Sequence, residues 1–270
     1  MFIGNVFAAQ GRDSVSSHGS LAVFVPTTSG LVVCTDKREW NSIRGASDTE
    51  IKIYNINSKA AFTVTGTVAI LDPTTLQPLF SVKDLVIKHL KDETKQRFVD
   101  KIQSLPKLLN DSYVSFRLRE GKDLAPSPGR TDDVIYSVTA WYASENRVNV
   151  AQVQLHSSGH EPSGVVSYQD VTEQFSRMVN VDGQTDFILA AIRNSDPRFA
   201  SFKADPEIRT VWTSEDPTTV SPVLGVRFGR KVIRATNEFH HLVSESTPTM
   251  VSAESDCSLM NPSHGFEWLK

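Results

Sequence analysis

The chain has few cysteines: two in 270 residues, Cys34 and Cys257, far apart. No CxxC pair and no Cys/His cluster is present, which removes zinc modules, dithiol redox motifs and a disulfide framework from consideration. Each cysteine falls in an apolar, β-prone run, so two buried free thiols are expected, favouring a reducing, cytoplasmic setting. There is little charge of one sign: the formal net charge is −3. Broad nucleic-acid binding draws on a basic face, and the aromatic residues are scattered with no stacking platform for bases, so no nucleic-acid partner is expected. No apolar run approaches the roughly 18 residues of a membrane-spanning helix, so no membrane partner is expected either. The first nineteen residues place no basic residue ahead of their short apolar stretch, unlike a secretory signal. They read as a propeptide or a flexible N-terminal arm. An export signal clipped near Ala8-Ala9 stays open.

What is present points to an α+β chain. SLAVFV (20–25) and LVVCT (31–35) are β-prone runs joined by the turn residues PTTSG, a hairpin signal. A polar stretch follows over 37–50. The alternation of IKIYNI (51–56) predicts a strand with Lys52, Tyr54 and Ile56 on one face and the other isoleucines opposite. AAFTVT (60–65) is a further strand, ending at Gly66. Val82, Leu85, Val86 and Leu90 share a helical stripe, with Ser81 and Asp84 placed like a capping box. Phe98, Ile102, Leu105 and Leu109 make a second stripe, interrupted by Pro106. A second hairpin spans 134–155. Helices are expected over 169–179, 184–193 and 223–243, an irregular insertion within 157–221, and a last strand over 250–259. Two antiparallel sheets covered by helices follow from that order. The absence of repeats and long linkers favours one domain over residues 20–270. His240-His241 reads as a surface helix end, because adjacent helical residues point about 100° apart and cannot readily share an ion. No metal and no cofactor are expected.

The chemistry-bearing residues are concentrated in the first quarter: Gly19-Ser20, Gly30, the run Asp36-Lys37-Arg38, Lys52 and Thr65-Gly66. In this register, from Ser20 to Gly66 without insertion or deletion, the chain resembles the proteasome β-subunit family of N-terminal nucleophile hydrolases. The resemblance implies a four-layer αββα sandwich. It also implies cleavage of Gly19–Ser20, freeing an α-amine whose pKa near 8 suits a base at neutral pH. Ser20 would then be the nucleophile on a peptide or small amide substrate, carrying its own base. Lys52 would depress the amine's pKa and steady the alkoxide. Asp36 would hold Lys52 charged, since an unpaired buried ammonium is costly. Gly66 would offer its N–H to the oxyanion, with Gly19 and Arg38 in support. Family analogy further implies a homo-oligomer.

Several residues depart from the family pattern. Serine stands where threonine is usual. The expected later-loop acid position falls at Ser244, with Glu245 beside it, and Thr247-Pro248-Thr249 replaces a Gly-rich turn. A Gly-Ser-Gly strand motif is not evident. Three readings therefore stand. The first is a serine-type N-terminal nucleophile peptidase or amidohydrolase, with Trp40, Ile43 and Arg44 near its substrate. The second is an inactive proteasome-like structural or assembly subunit. The third is a binding module that uses residues 157–221.

Overall fold

A computed structural model describes residues 15–19, 21–41, 45–92, 97–121, 134–156, 165–193, 197–214, 216, 219–243 and 249–270, with the side chains of 15–19, 165, 192 and 193 outside that description. In chain order the elements are β1 (Val15–Gly19), β2 (Leu21–Thr27), β3 (Gly30–Asp36), β4 (Glu39–Asn41), β5 (Gly45–Ser47), β6 (Tyr54–Asn57), β7 (Ala60–Leu71) and β8 (Pro78–Ser81). Helices α1 (Val82–Lys91) and α2 (Phe98–Glu120) follow, then β9 (Val134–Ala143), β10 (Val148–His156), β11 (Val165–Asp170), α3 (Thr172–Arg177), β12 (Asn180–Gly183) and α4 (Asp186–Arg193). The last part holds α5 (Ala200–Ala204), α6 (Pro206–Trp212), α7 (Pro222–Phe239), β13 (Ser255–Asn261) and β14 (Gly265–Leu269).

The strands form two antiparallel sheets. The larger runs β11-β10-β9-β7-β1-β4-β5, with β6 and β8 also pairing to β7; the smaller runs β12-β2-β3-β13-β14. Alternation along β2 explains how they stack. Leu21, Val23 and Val25 pack outward with Phe228, Val232 and Ile233 of α7. Ala22 and Phe24 point inward, with Ala61 of β7 and Trp141 of β9. A strand covered on both faces reads as a continuous apolar run, which is why SLAVFV does not alternate. On the other outer face α1 and α2 cover the large sheet through Val86, Leu90, Leu105 and Leu109. Helices, sheet, sheet and helices therefore follow one another across the molecule.

Several expectations need correction. Pro106 does not end a helix: α2 runs through it to Glu120. An interior proline costs about 3 kcal/mol, but Leu105, Leu109, Tyr113 and Phe116 are all buried, and each contributes about 1.5–3 kcal/mol. β7 does not stop at Gly66 but continues to Leu71. The polar stretch 37–50 holds β4 and β5, paired with each other. Ile51 is exposed while Lys52 and Ile53 are both buried, so strict alternation fails before β6 begins. Much of the supposed insertion is helical: Asp205 caps α6 by accepting from the Glu207 and Ile208 amides at 2.9 and 3.1 Å, with Pro206 in the first turn. The final strand is β14, not the segment from Met250. His240 is buried, its Nδ1 3.4 Å from an Asp186 carboxylate oxygen, rather than on a surface helix end.

The free-thiol expectation also fails. Cys34 and Cys257 stand opposite one another on β3 and β13 and form a disulfide, with their Cα atoms 4.1 Å apart. Strands 223 residues apart in sequence meet only in the folded sheet. Helix α7 lies directly over this bridge, and it does so at a glycine: a Cβ on Gly229 would come within 2.7 Å of the Cys34 sulfur.

Candidate functional site

The site begins where one sheet hands the chain to the other. Gly19 ends β1 in the large sheet and Leu21 begins β2 in the small one. Ser20 joins them and lies outside the described residues, but both of its neighbours are fixed. Gly19 pairs with Gly66, and the Leu21 amide donates to Asp36 Oδ1 at 2.9 Å.

Asp36 is placed by the β2–β3 hairpin, whose register brings the end of β3 back to the start of β2. It is fully buried, and its carboxylate is saturated. Oδ2 accepts from the Arg38 amide at 2.8 Å and the Ser252 amide at 3.1 Å. Lys52 Nζ lies 3.0 Å from both oxygens and also donates to the Arg38 carbonyl. Only 5% of the lysine side chain is exposed. Burial pulls the Lys52 pKa below its ordinary value of 10.5, and the Asp36 charge opposes that pull. At this distance the attraction is roughly 5 kcal/mol for an effective dielectric near 20, enough to offset much of the cost of taking both charges out of water.

Arg38 braces the same corner from outside. Its Nε and Nη2 donate to the two Asp48 oxygens at 2.7 and 2.9 Å, a fork geometry that lysine cannot reproduce. That hydrogen bond raises the arginine's pKa and lowers the carboxyl's. Nη1 reaches the Thr249 carbonyl at 3.4 Å. The segment before β13 is thus tied to the site twice, through Thr249 and through the Ser252 amide.

Gly66 lies within β7 at φ +85°, a region L side chains rarely enter. Beside it, β1 fills a slot in the large sheet, antiparallel to β7 on one side and to β4 on the other. Next to this slot lies a cavity of about 150 Å³ whose lining includes Lys52, Glu39, Glu50, Tyr54, Val64 and Val68. Burial, with Glu50, Glu39 and Asp84 nearby, pushes the Tyr54 phenol up. A larger cavity of about 580 Å³ sits at hairpin tips around Ser29, Asn146 and Ser263 and shares no residue with this one.

The structure therefore brings Asp36, Lys52 and the Arg38 backbone together beside Leu21, with Gly19 against Gly66. Ser244, Glu245, Ile43 and Arg44 lie outside the described residues. Trp40 is half-buried in β4, opposite His18. Sequence reasoning missed Asp48, Ser252, Glu39 and Glu50. Asp48 and the glutamates stand in the polar 37–50 stretch, where spacing carries no signal. Ser252 acts through its amide, which no side-chain pattern reports. Among the described residues, no group of three or more His, Cys, Asp or Glu could hold a metal, and no helix is long and apolar enough to cross a membrane. No protein-family model matches the chain, and no curated protein matches its sequence.

Proposed function

We propose that this protein is an amide-bond hydrolase of the N-terminal nucleophile type, built on the plan of the proteasome β-subunits. Cleavage of Gly19–Ser20 exposes Ser20, which attacks a peptide or small amide. The observation that carries this reading is the buried Lys52–Asp36 pair held at the Leu21 amide, one residue beyond the bond to be cut. A charged ammonium there depresses the pKa of a nearby α-amine and stabilises a developing alkoxide. The Gly66 amide is the oxyanion donor in this scheme; one such donor is typically worth about 3 kcal/mol of barrier. The position of β1 adds support. A segment that ends at the scissile bond and runs as a strand between β4 and β7 is arranged as a bound peptide would be, by strand addition. After cleavage the same slot would accept a substrate.

Intact-mass measurement of the purified chain tests the reading. The expected result is loss of residues 1–19, abolished by Ser20→Ala and by Lys52→Met. A chain that stays whole at all pH values, in an assembly many times its 29.9 kDa mass, would overturn it in favour of a structural subunit.

A further inference from the structure

The space between the two sheets is apolar over only part of its extent. Phe24, Ala61 and Trp141 fill that part. By strand alternation the same face of the large sheet then carries Thr63 and Thr65 on β7 and Ser137 and Thr139 on β9. All four are buried. Five buried serine and threonine hydroxyls, those of Thr35, Thr63, Thr65, Ser137 and Ser258, find no hydrogen-bond partner among the described residues. A buried hydroxyl left bare is costly, and five between one pair of sheets call for a common partner.

The register sets the large-sheet hydroxyls in rows. Gln154 stands opposite Ser137, and Ser137 opposite Thr65. Gln152 stands opposite Thr139, and Thr139 opposite Thr63. Each row crosses β10, β9 and β7, about 10 Å at the usual strand spacing. The outer end opens into a cavity of about 170 Å³ whose lining includes Gln152, Gln154, Gln174, Asn180, Asp182 and Thr185, far more than the roughly 15 Å³ that one water needs. Gln152 Nε2 and Thr139 Oγ1 lie 3.4 and 3.5 Å from Asp182 Oδ2, contacts at the long limit of a hydrogen bond that tie the mouth of the seam across both sheets. The inner end is Thr65, next to Gly66, whose strand partner Gly19 carries the bond to be cut. We infer that this seam holds ordered water and delivers the water that releases the acyl group from Ser20. The delivery rests on the hydrolase reading. In that step the water oxygen bonds to the acyl carbon and the ester bond to Ser20 Oγ breaks. One water proton passes by way of the α-amine to Oγ, and the substrate leaves as a carboxylic acid. The acyl chain still fills the slot beside β7 at that stage, so the sheet interior is the side from which water reaches the carbon. Thr65 and Ser137 are positioning residues, acting through the water they hold.

Two measurements test this. The first needs no catalysis. In the uncut Ser20→Ala chain, Thr63→Val and Thr65→Val each remove a hydroxyl and keep the side chain's shape. In a dry seam they relieve an orphaned group and raise the melting temperature. In a hydrated seam they take a partner from bound water, and each is expected to lower it by about 2 °C or more. A melting temperature that rises or stays refutes the inference and leaves the hydrolase reading standing. The second uses the processed chain and an activated peptidyl ester, whose acylation is fast. Ser137→Ala should lower kcat by about fivefold or more, while kcat/KM and the initial burst, which report acylation, hold. Hydroxylamine, which attacks the acyl carbon in place of water, should restore turnover. An unchanged kcat, equal falls in kcat and kcat/KM, or no rescue overturns the delivery. Lowered melting in a chain that never forms an acyl-enzyme would keep the hydrated seam and remove both the delivery and the hydrolase.

Discussion

Asp36→Asn is the substitution on which the site should be most sharply judged. It keeps the side chain's shape and removes its charge. One oxygen becomes an NH2 group, and both orientations fail: the Oδ1 position faces the Leu21 amide and the Oδ2 position faces the Arg38 and Ser252 amides. A donor then meets a donor in a fully buried place. The Lys52 ammonium keeps the Arg38 carbonyl and the one remaining amide oxygen as acceptors but loses its counter-charge. Breaking a buried pair in this way costs about 3–5 kcal/mol, a large share of the 5–15 kcal/mol typical of a folded domain. The converse change should be milder. In Lys52→Met the carboxylate keeps three backbone donors, the Leu21, Arg38 and Ser252 amides, so the loss should be about 1–2 kcal/mol. The double variant should recover part of the Asp36→Asn deficit, with a coupling of roughly 1–3 kcal/mol. Urea unfolding in the Ser20→Ala background, which keeps the leader in every sample, gives all three values. A loss under about 1 kcal/mol for Asp36→Asn, or a greater loss for Lys52→Met than for Asp36→Asn, would refute the reasoning.

Gly66→Ala should destabilise by roughly 1–2 kcal/mol because of its positive φ, and should slow Gly19–Ser20 cleavage far more than that loss explains; equal effects on folding and cleavage would remove Gly66 from the chemistry. The Asp48 carboxyl is held below its ordinary 3.8 by Arg38. Its contribution to stability is therefore present above about pH 4 and lost as pH falls through the lowered value. Asp48→Asn should flatten that acid limb in thermal melts, by a small amount because Asp48 is part-exposed. Reducing the Cys34–Cys257 bridge, or replacing both cysteines by alanine, should cost about 2–5 kcal/mol; it should also loosen Ser252, since β13 pairs with β3 up to Ser255 opposite Asp36. Amide exchange at Ser252 that is unchanged on reduction would show the staple to be irrelevant to the site. Gly229→Ala should cost about 1–3 kcal/mol by overpacking against the Cys34 sulfur, measured by urea unfolding; a neutral result would mean that α7 shifts freely.

The sequence by itself determined the local elements. Both hairpins, the Ser81 cap that accepts from the Asp84 amide at 3.1 Å, and the helices α1, α4 and α7 follow from apolar spacing and turn chemistry that act within a few residues. The order of those elements also settled the class, two antiparallel sheets with helices outside. Pairings between distant segments were another matter. The disulfide, the β1 slot between β4 and β7, and the Ser252 amide on Asp36 join residues up to 223 positions apart, and no periodicity encodes such meetings. The same holds where packing outweighs a local signal. α2 runs through Pro106 because its buried face gains more than the proline costs, and β7 runs through Gly66 because β1 and β9 pair with it on either side. Asp36 and Lys52 were visible as residue types at suggestive positions. The family resemblance implied that Asp36 holds Lys52; that their contact is cut off from water was decided only in the folded molecule, where the end of β3, the start of β2 and the Ser252 segment meet around it.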